Sequence, residues 1–157
     1  MNSSSISHNR NINRGFRKLE VWKLAIELYV MVKKKIRPMN DIPYKVKAQV
    51  EDSIFSCHSN IAEGYSRRGL KENIQFNNIA LASLAENYSQ IFALTESGDI
   101  DKEWFDEYDQ KHYTLENKLL NYNRSQIKQL KEESDWKTDY TLREIIAKYE
   151  TENVMGD

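Results

Sequence analysis

The sequence has little of what small domains use when packing alone cannot hold them. It contains one cysteine, Cys57, two prolines and five glycines in 157 residues. A single thiol excludes an internal disulfide and any cysteine-rich zinc site, and Cys57 reads as a small core residue. No run approaches the ~20 apolar residues needed to cross a bilayer. The opening MNSSSISHNRNINR has no apolar centre of the kind a secretory signal carries, so a cytoplasmic location is expected. HExxH, CxxC and Walker-type glycine loops do not occur, which removes the common signatures of zinc hydrolysis, thiol redox chemistry and nucleotide binding. Cys57, His58 and Ser59 place nucleophile and base in a row, but adjacent helical residues point about 100° apart and cannot share the hydrogen bond such chemistry needs. The expectation is a protein that is not an enzyme and that uses no cofactor or metal.

What is present is a helix-forming composition. With 30% charged and 39% hydrophobic residues and few helix breakers, the chain is expected to be all-α. Its length suits one domain. Leu19, Trp22, Ile26, Tyr29, Val32 and Ile36 recur at steps of three and four, the spacing of one buried helical stripe. Pro38 and Pro43 interrupt the pattern. A second helix runs on Val46, Val50, Ile54, Cys57 and Ile61 and is expected to end near Gly64. Gly69 is placed as N-cap of a third helix, with Glu72 three residues on, and its stripe is Phe76, Ala80, Ser83, Leu84, Ile91 and Leu94. Gly98 is suited to the left-handed closing turn. Asp101 then caps a fourth helix on Trp104, Tyr108, His112, Leu115, Leu119 and Tyr122, with Ile100 and Phe105 spaced as a hydrophobic staple.

Four such helices with short connections predict an antiparallel up-down-up-down bundle over residues 16–131. Residues 1–15 read as a disordered polar tail. Residues 132–157 read as a connector and a short C-terminal helix, with Thr141 and Glu144 as a capping box before Leu142, Ile145, Ile146 and Tyr149.

The near-neutral total hides an asymmetry. Residues 1–50 hold 11 Lys and Arg against 3 Asp and Glu, whereas the rest of the chain is acidic. The basic third either pairs with the later helices of its own fold or a neighbouring subunit, or it attracts phosphates. On the second alternative the contacts would come from Lys33, Lys34, Lys35, Arg37, Lys45 and Lys47. The stretch SNIAEGYSRRG, residues 59–69, offers a second candidate surface. Asn60 and Glu63 share a helix face, and Glu63 is within a turn or two of Arg67 and Arg68. Read structurally, Asn60 and Glu63 bond to the following turn and Gly64 supplies backbone freedom. Read functionally, the arginines and nearby Lys71 present positive charge at a bundle end to phosphate or carboxylate.

Phe16-x-x-Leu19-x-Val21-Trp22-x-x-Ala25, Ser56-x-x-Ser59-Asn60-Ile61-Ala62-Glu63-Gly64, Arg67-Arg68-x-x-Lys71-Glu72, and then Phe76, Ile79-Ala80-x-x-Ser83 and Glu86 carry a resemblance over about residues 16–130. The chain resembles the bacterial four-helix-bundle family of 23S rRNA intervening sequence proteins. That resemblance implies an antiparallel bundle assembled as a ring-like homopentamer, without established enzymatic activity, and a possible RNA partner. It is also similar in architecture to the accessory variability determinant of diversity-generating retroelements, which implies a reverse transcriptase and nucleic acid as partners to test. Two functions are therefore expected as alternatives. One is a non-enzymatic oligomeric scaffold or adaptor for a protein or RNA. The other is a nucleic-acid-binding accessory factor for a reverse transcriptase or for rRNA processing. Asn73, Asn77 and Asn87 depart from the apolar residues common in the family, and each needs a hydrogen-bond partner if buried.

Overall fold

The computed structural model describes residues 12–67 and 69–133. A 3-10 helix over Ile12–Lys18 leads into four α-helices: α1 Glu20–Ile36, α2 Tyr44–Ser66, α3 Leu70–Glu96 and α4 Lys102–Glu133. Each helix packs on the next and α4 returns against α1, which closes the expected four-helix ring. The ion pairs fix direction: Glu20 meets Lys118 at 3.1 Å and Lys35 meets Asp101 at 2.5 Å, so α1 and α4 run antiparallel. No described helix is long and apolar enough to cross a membrane. The expected C-terminal helix lies outside the described residues. At the other end, helical order begins at Ile12, inside the stretch that composition assigns to the polar tail. Phe16 packs edge-on against Trp22 and Gly15 sits against the Tyr65 ring, which ties this segment to the bundle.

Most of the expected stripe positions of α2, α3 and α4 face inward, while Val46, Phe76, Leu94, Trp104 and Tyr122 are only half-buried. Val50, Ile54, Cys57, Ile61, Ala80, Leu84, Ile91, Tyr108, Leu115 and Leu119 are all fully buried or nearly so. Helix boundaries follow local chemistry. Asp101 Oδ1 accepts from the Trp104 N–H at 2.8 Å, and the hydrogen-bonded Lys35 ammonium, then this bond, hold its carboxyl below the usual range. Ile100 and Phe105 are both buried as a staple. Gly98 takes φ 84° after α3. Gly69 is the N-cap of α3, with Glu72 in the first turn near the positive end of the helix dipole.

Two readings need correction. In α1 the buried stripe is Val21, Ala25, Leu28, Val32 and Ile36; Trp22, Ile26 and Tyr29 lie on the flank and are only half-buried. This helix is apolar on two adjacent faces, and the more aromatic one is not the inward one. α2 ends near Gly64 as expected, two residues on at Ser66, but Gly64 itself has no unusual backbone angle and lies within the helix, fully inside the packing. A Cβ there would fall 2.8 Å from the Phe76 Cβ and 3.1 Å from the Asn73 carbonyl oxygen. The glycine lets α2 and α3 approach.

Asn73, Asn77 and Asn87 of α3 are buried, and each is paired. Asn87 Nδ2 donates to the Val50 carbonyl and to Ser53 Oγ, both at 3.0 Å, and Asn87 Oδ1 accepts from the Tyr108 hydroxyl at 2.8 Å. One amide therefore joins three helices. Asn77 Nδ2 donates to Asn73 Oδ1 at 3.0 Å and to Gln126 Oε1 at 3.1 Å, while Asn77 Oδ1 is buried without a protein partner.

Candidate functional site

The two groups of candidate residues lie at opposite ends of α2. From Lys45 to Arg67 is 22 residues, or about 33 Å of helix, so they do not form one surface.

At the α2–α3 end, Asn60 turns back instead of forward. Its Nδ2 donates to the Ser56 carbonyl at 2.8 Å and to Ser56 Oγ at 2.9 Å, and Ser56 Oγ lies 2.9 Å from Ser83 Oγ on α3. The expected bond from Asn60 to the next turn is replaced by this bridge between helices. Glu63 does reach forward, accepting from Arg67 Nη2 at 2.6 Å. The Arg67 guanidinium also lies 4.9 Å from the centre of the Phe76 ring. Arg67 is thus held against its own fold at the point where α2 becomes α3. Lys71 is half-buried in the first turn of α3. Arg68 lies outside the described residues.

At the α1–α2 end, three of the six cations have partners in the bundle. Lys35 binds Asp101, Arg37 donates to both oxygens of Glu51 at 3.0 to 3.3 Å, and Lys47 donates to the Met39 carbonyl at 2.9 Å. Part of the basic first third is therefore paired internally. Lys33 places its ammonium 5.5 Å over the Tyr29 ring. Lys34 and Lys45 are exposed. Tyr44, in the first turn of α2 and 83% exposed, lines an open groove together with Arg37, Lys47, Glu51 and Asp52.

The one cysteine and the two histidines of the described residues are built into packing. Cys57 is buried and its thiol is pushed up to about 12 by burial, which removes the thiolate a nucleophile needs. His112 bonds the Leu84 carbonyl at 3.0 Å. His58 lies edge-on to Phe55 and Tyr29, its pKa lowered by burial. Among the described residues no group of three or more His, Cys, Asp or Glu side chains is placed to hold a metal ion.

Residues 17–121 match the family of 23S rRNA-intervening sequence proteins. The chain belongs to that family. The matched span starts within the 3-10 helix and includes α1, α2, α3 and most of α4, so membership covers the bundle. No curated protein matches the chain. Asn60, Glu63 and Arg67 fall inside the family span; Asn123 and Gln126, two more buried amides on α4, lie beyond it.

Of the large apolar side chains left outside the core, Ile79 was noted from sequence only as part of the family motif, and Phe55, Phe92 and Tyr113 were not singled out. Phe55, Ile79, Phe92 and Tyr113 are 44 to 64% exposed. Their one sequence signal is that they fall off the buried stripes, which by itself does not distinguish a scattered surface residue from a binding face.

Proposed function

We propose that this member of the 23S rRNA-intervening sequence family is a non-enzymatic homo-oligomeric scaffold, with five copies as the resemblance implies, that offers its assembled surface to an rRNA or protein partner. One observation carries the reading. The bundle core is already closed, yet aromatic side chains remain on its outer walls, where a monomer in water gains nothing from them. The family description fits an association with rRNA. The internal pairing of Lys35, Arg37 and Arg67 supports a structural role for those cations.

Native mass measurement of the full chain, with and without nuclease, tests this. A multiple of 18.6 kDa that survives nuclease is expected. A monomer at micromolar concentration rejects it.

A second reading, an accessory factor that binds nucleic acid in rRNA processing or beside a reverse transcriptase, rests on exposed Tyr44, which adjoins exposed Lys45 and shares a groove with Arg37 and Lys47. An aromatic face amid cations is the arrangement that stacks single-stranded bases. Affinity for a single-stranded RNA that falls steeply with salt, and falls again on Tyr44→Ala, distinguishes it from the first.

A further inference from the structure

Charge divides the bundle along its axis. One half holds the 3-10 helix, the start of α1, the passage from α2 to α3 and the C-terminal half of α4. Its residues, 12–23, 60–78 and 117–133, include eleven Lys and Arg against five Asp and Glu. The other half, residues 24–59 and 79–116, has eight against thirteen. Folding sets the lysines of the α1–α2 turn beside the acidic α3–α4 turn, as the Lys35–Asp101 pair shows, and leaves the net positive charge at the opposite end.

That end is not neutralised by its own fold. From Asn117 to Lys131 α4 carries no Asp or Glu, and Arg124, Lys128 and Lys131, at steps of four and three, share one of its faces. Arg124 and Lys128 are exposed. The helix dipole draws cations only into the last turn, and Arg124 lies nine residues before Glu133, so the row is longer than the dipole explains. On the 3-10 helix Arg14, Arg17 and Lys18 are exposed. Among the described residues no carboxylate pairs with Arg14, Arg17, Lys18 or Lys128, whereas Arg67 is held by Glu63 and the Phe76 ring. The Glu20–Lys118 pair sets the start of α1 beside α4, so Lys18 and the row from Arg124 to Lys131 lie at the same end.

This end also has charge without apolar anchors. Among the described residues the large apolar side chains that are exposed, Val30, Tyr44, Phe55, Ile79, Phe92 and Tyr113, all belong to the other half. A protein partner or a membrane surface is gripped through such anchors, and single-stranded bases stack on exposed rings. The backbone of a nucleic-acid duplex asks only for charge. We infer that this end binds the phosphate backbone of duplex RNA, with Arg17 and Lys18 on the 3-10 helix and Arg124 and Lys128 on α4 as its contacts. The inference rests on the reading of an rRNA partner and names the surface and the form of the RNA. A cyclic homo-oligomer repeats the end at one height and one radius, so the charges of its copies add along one rim.

The full chain carrying Lys18→Glu with Lys128→Glu is compared with one carrying Lys34→Glu with Lys45→Glu, the same change in charge at exposed positions of the other half. The probe is a fluorescent RNA duplex of about 20 base pairs, long enough to present two minor grooves. Wild-type binding is expected to weaken steeply as salt rises. Lys18→Glu with Lys128→Glu is expected to bind roughly tenfold more weakly, with a slope of log affinity against log salt shallower by about 2. Lys34→Glu with Lys45→Glu is expected to change affinity less than about twofold at about 0.15 M salt, because a Debye length of ~8 Å screens charges some 30 Å away. If either chain loses its helical circular dichroism, glutamine replaces glutamate at the same positions, with the same order of affinities expected.

A Lys18→Glu, Lys128→Glu chain that binds the duplex as the wild type does, or no more weakly than the Lys34→Glu, Lys45→Glu chain, overturns this end as the site while leaving an rRNA partner standing. So does a wild type that binds single-stranded RNA through Tyr44 and no duplex. A DNA duplex of the same length bound more tightly than the RNA overturns the assignment to RNA. A wild type that binds neither form of RNA removes the rRNA reading together with this one.

Discussion

Gly64→Ala is the substitution whose outcome most directly checks how α2 and α3 meet. In an exposed helix interior the change would stabilise by about 1 kcal/mol, because alanine restricts the unfolded chain and favours the helix. Here the added Cβ lands 2.8 Å from the Phe76 Cβ and 3.1 Å from both the Asn73 carbonyl oxygen and Asn73 Oδ1. Two of these atoms belong to or adjoin the α3 backbone, so relief requires moving the helix. Overpacking of this kind costs ~1–3 kcal/mol, and contacts to rigid atoms belong at the upper end. Set against the helix gain, a net loss of about 1–2 kcal/mol remains, or roughly 3–10 °C in Tm for a domain of this size. Thermal unfolding followed by circular dichroism, at one fixed protein concentration because assembly shifts Tm, gives the answer. Gly69→Ser is the control. Nothing lies within 4 Å of a Cβ there and the position is the extended N-cap of α3, so serine is expected to be neutral or to stabilise by a few tenths of a kcal/mol. Two glycines five residues apart should thus respond in opposite directions. A Gly64→Ala chain as stable as the wild type refutes the close approach.

Asn87→Leu strips the Tyr108 hydroxyl of its acceptor inside the core, so a loss of about 1–3 kcal/mol by urea unfolding is expected. Adding Tyr108→Phe should then cost less than it does alone, and simple additivity would argue against the bond. Cys57 should resist iodoacetamide at pH 8 in the folded chain and react once urea unfolds it, since burial keeps it a thiol; rapid native labelling contradicts this. Burial lowers the His58 pKa. The unfolded chain takes up that proton near pH 6.5 and the folded chain only at lower pH. Stability is therefore undiminished above that pH and falls as pH drops through it toward the folded value. His58→Phe, which keeps a ring between Tyr29 and Phe55, should flatten the slope of urea midpoint against pH between 7.5 and 5.5; an unchanged slope refutes the assignment.

Periodicity and capping residues determined the four α-helices of the described residues, their ends to within a few residues, and most of the positions in α2, α3 and α4 that turn inward. Those features are local: a stripe at steps of three and four, a carboxylate three residues before an N–H, a glycine where φ must be positive. The family motif was equally legible, but its parts carried no label for their purpose. Asn60 and Arg67 look alike as polar residues near a helix end; only the placement of Ser83 and Phe76 on α3 shows that both hold the fold.

Tertiary structure decided what depends on residues far apart in the chain. Helix α1 has two apolar faces with the same spacing, and the positions of α2 and α4 choose between Val21, Ala25 and Leu28 and the alternative of Trp22, Ile26 and Tyr29. Asn87 is tolerated in the core because Val50 and Tyr108 arrive from two other helices with a carbonyl and a hydroxyl at bonding distance. The same holds for the outer walls: a helix records in its sequence that a residue is apolar, but whether that residue faces a neighbour, the core or water is set by the elements packed beside it.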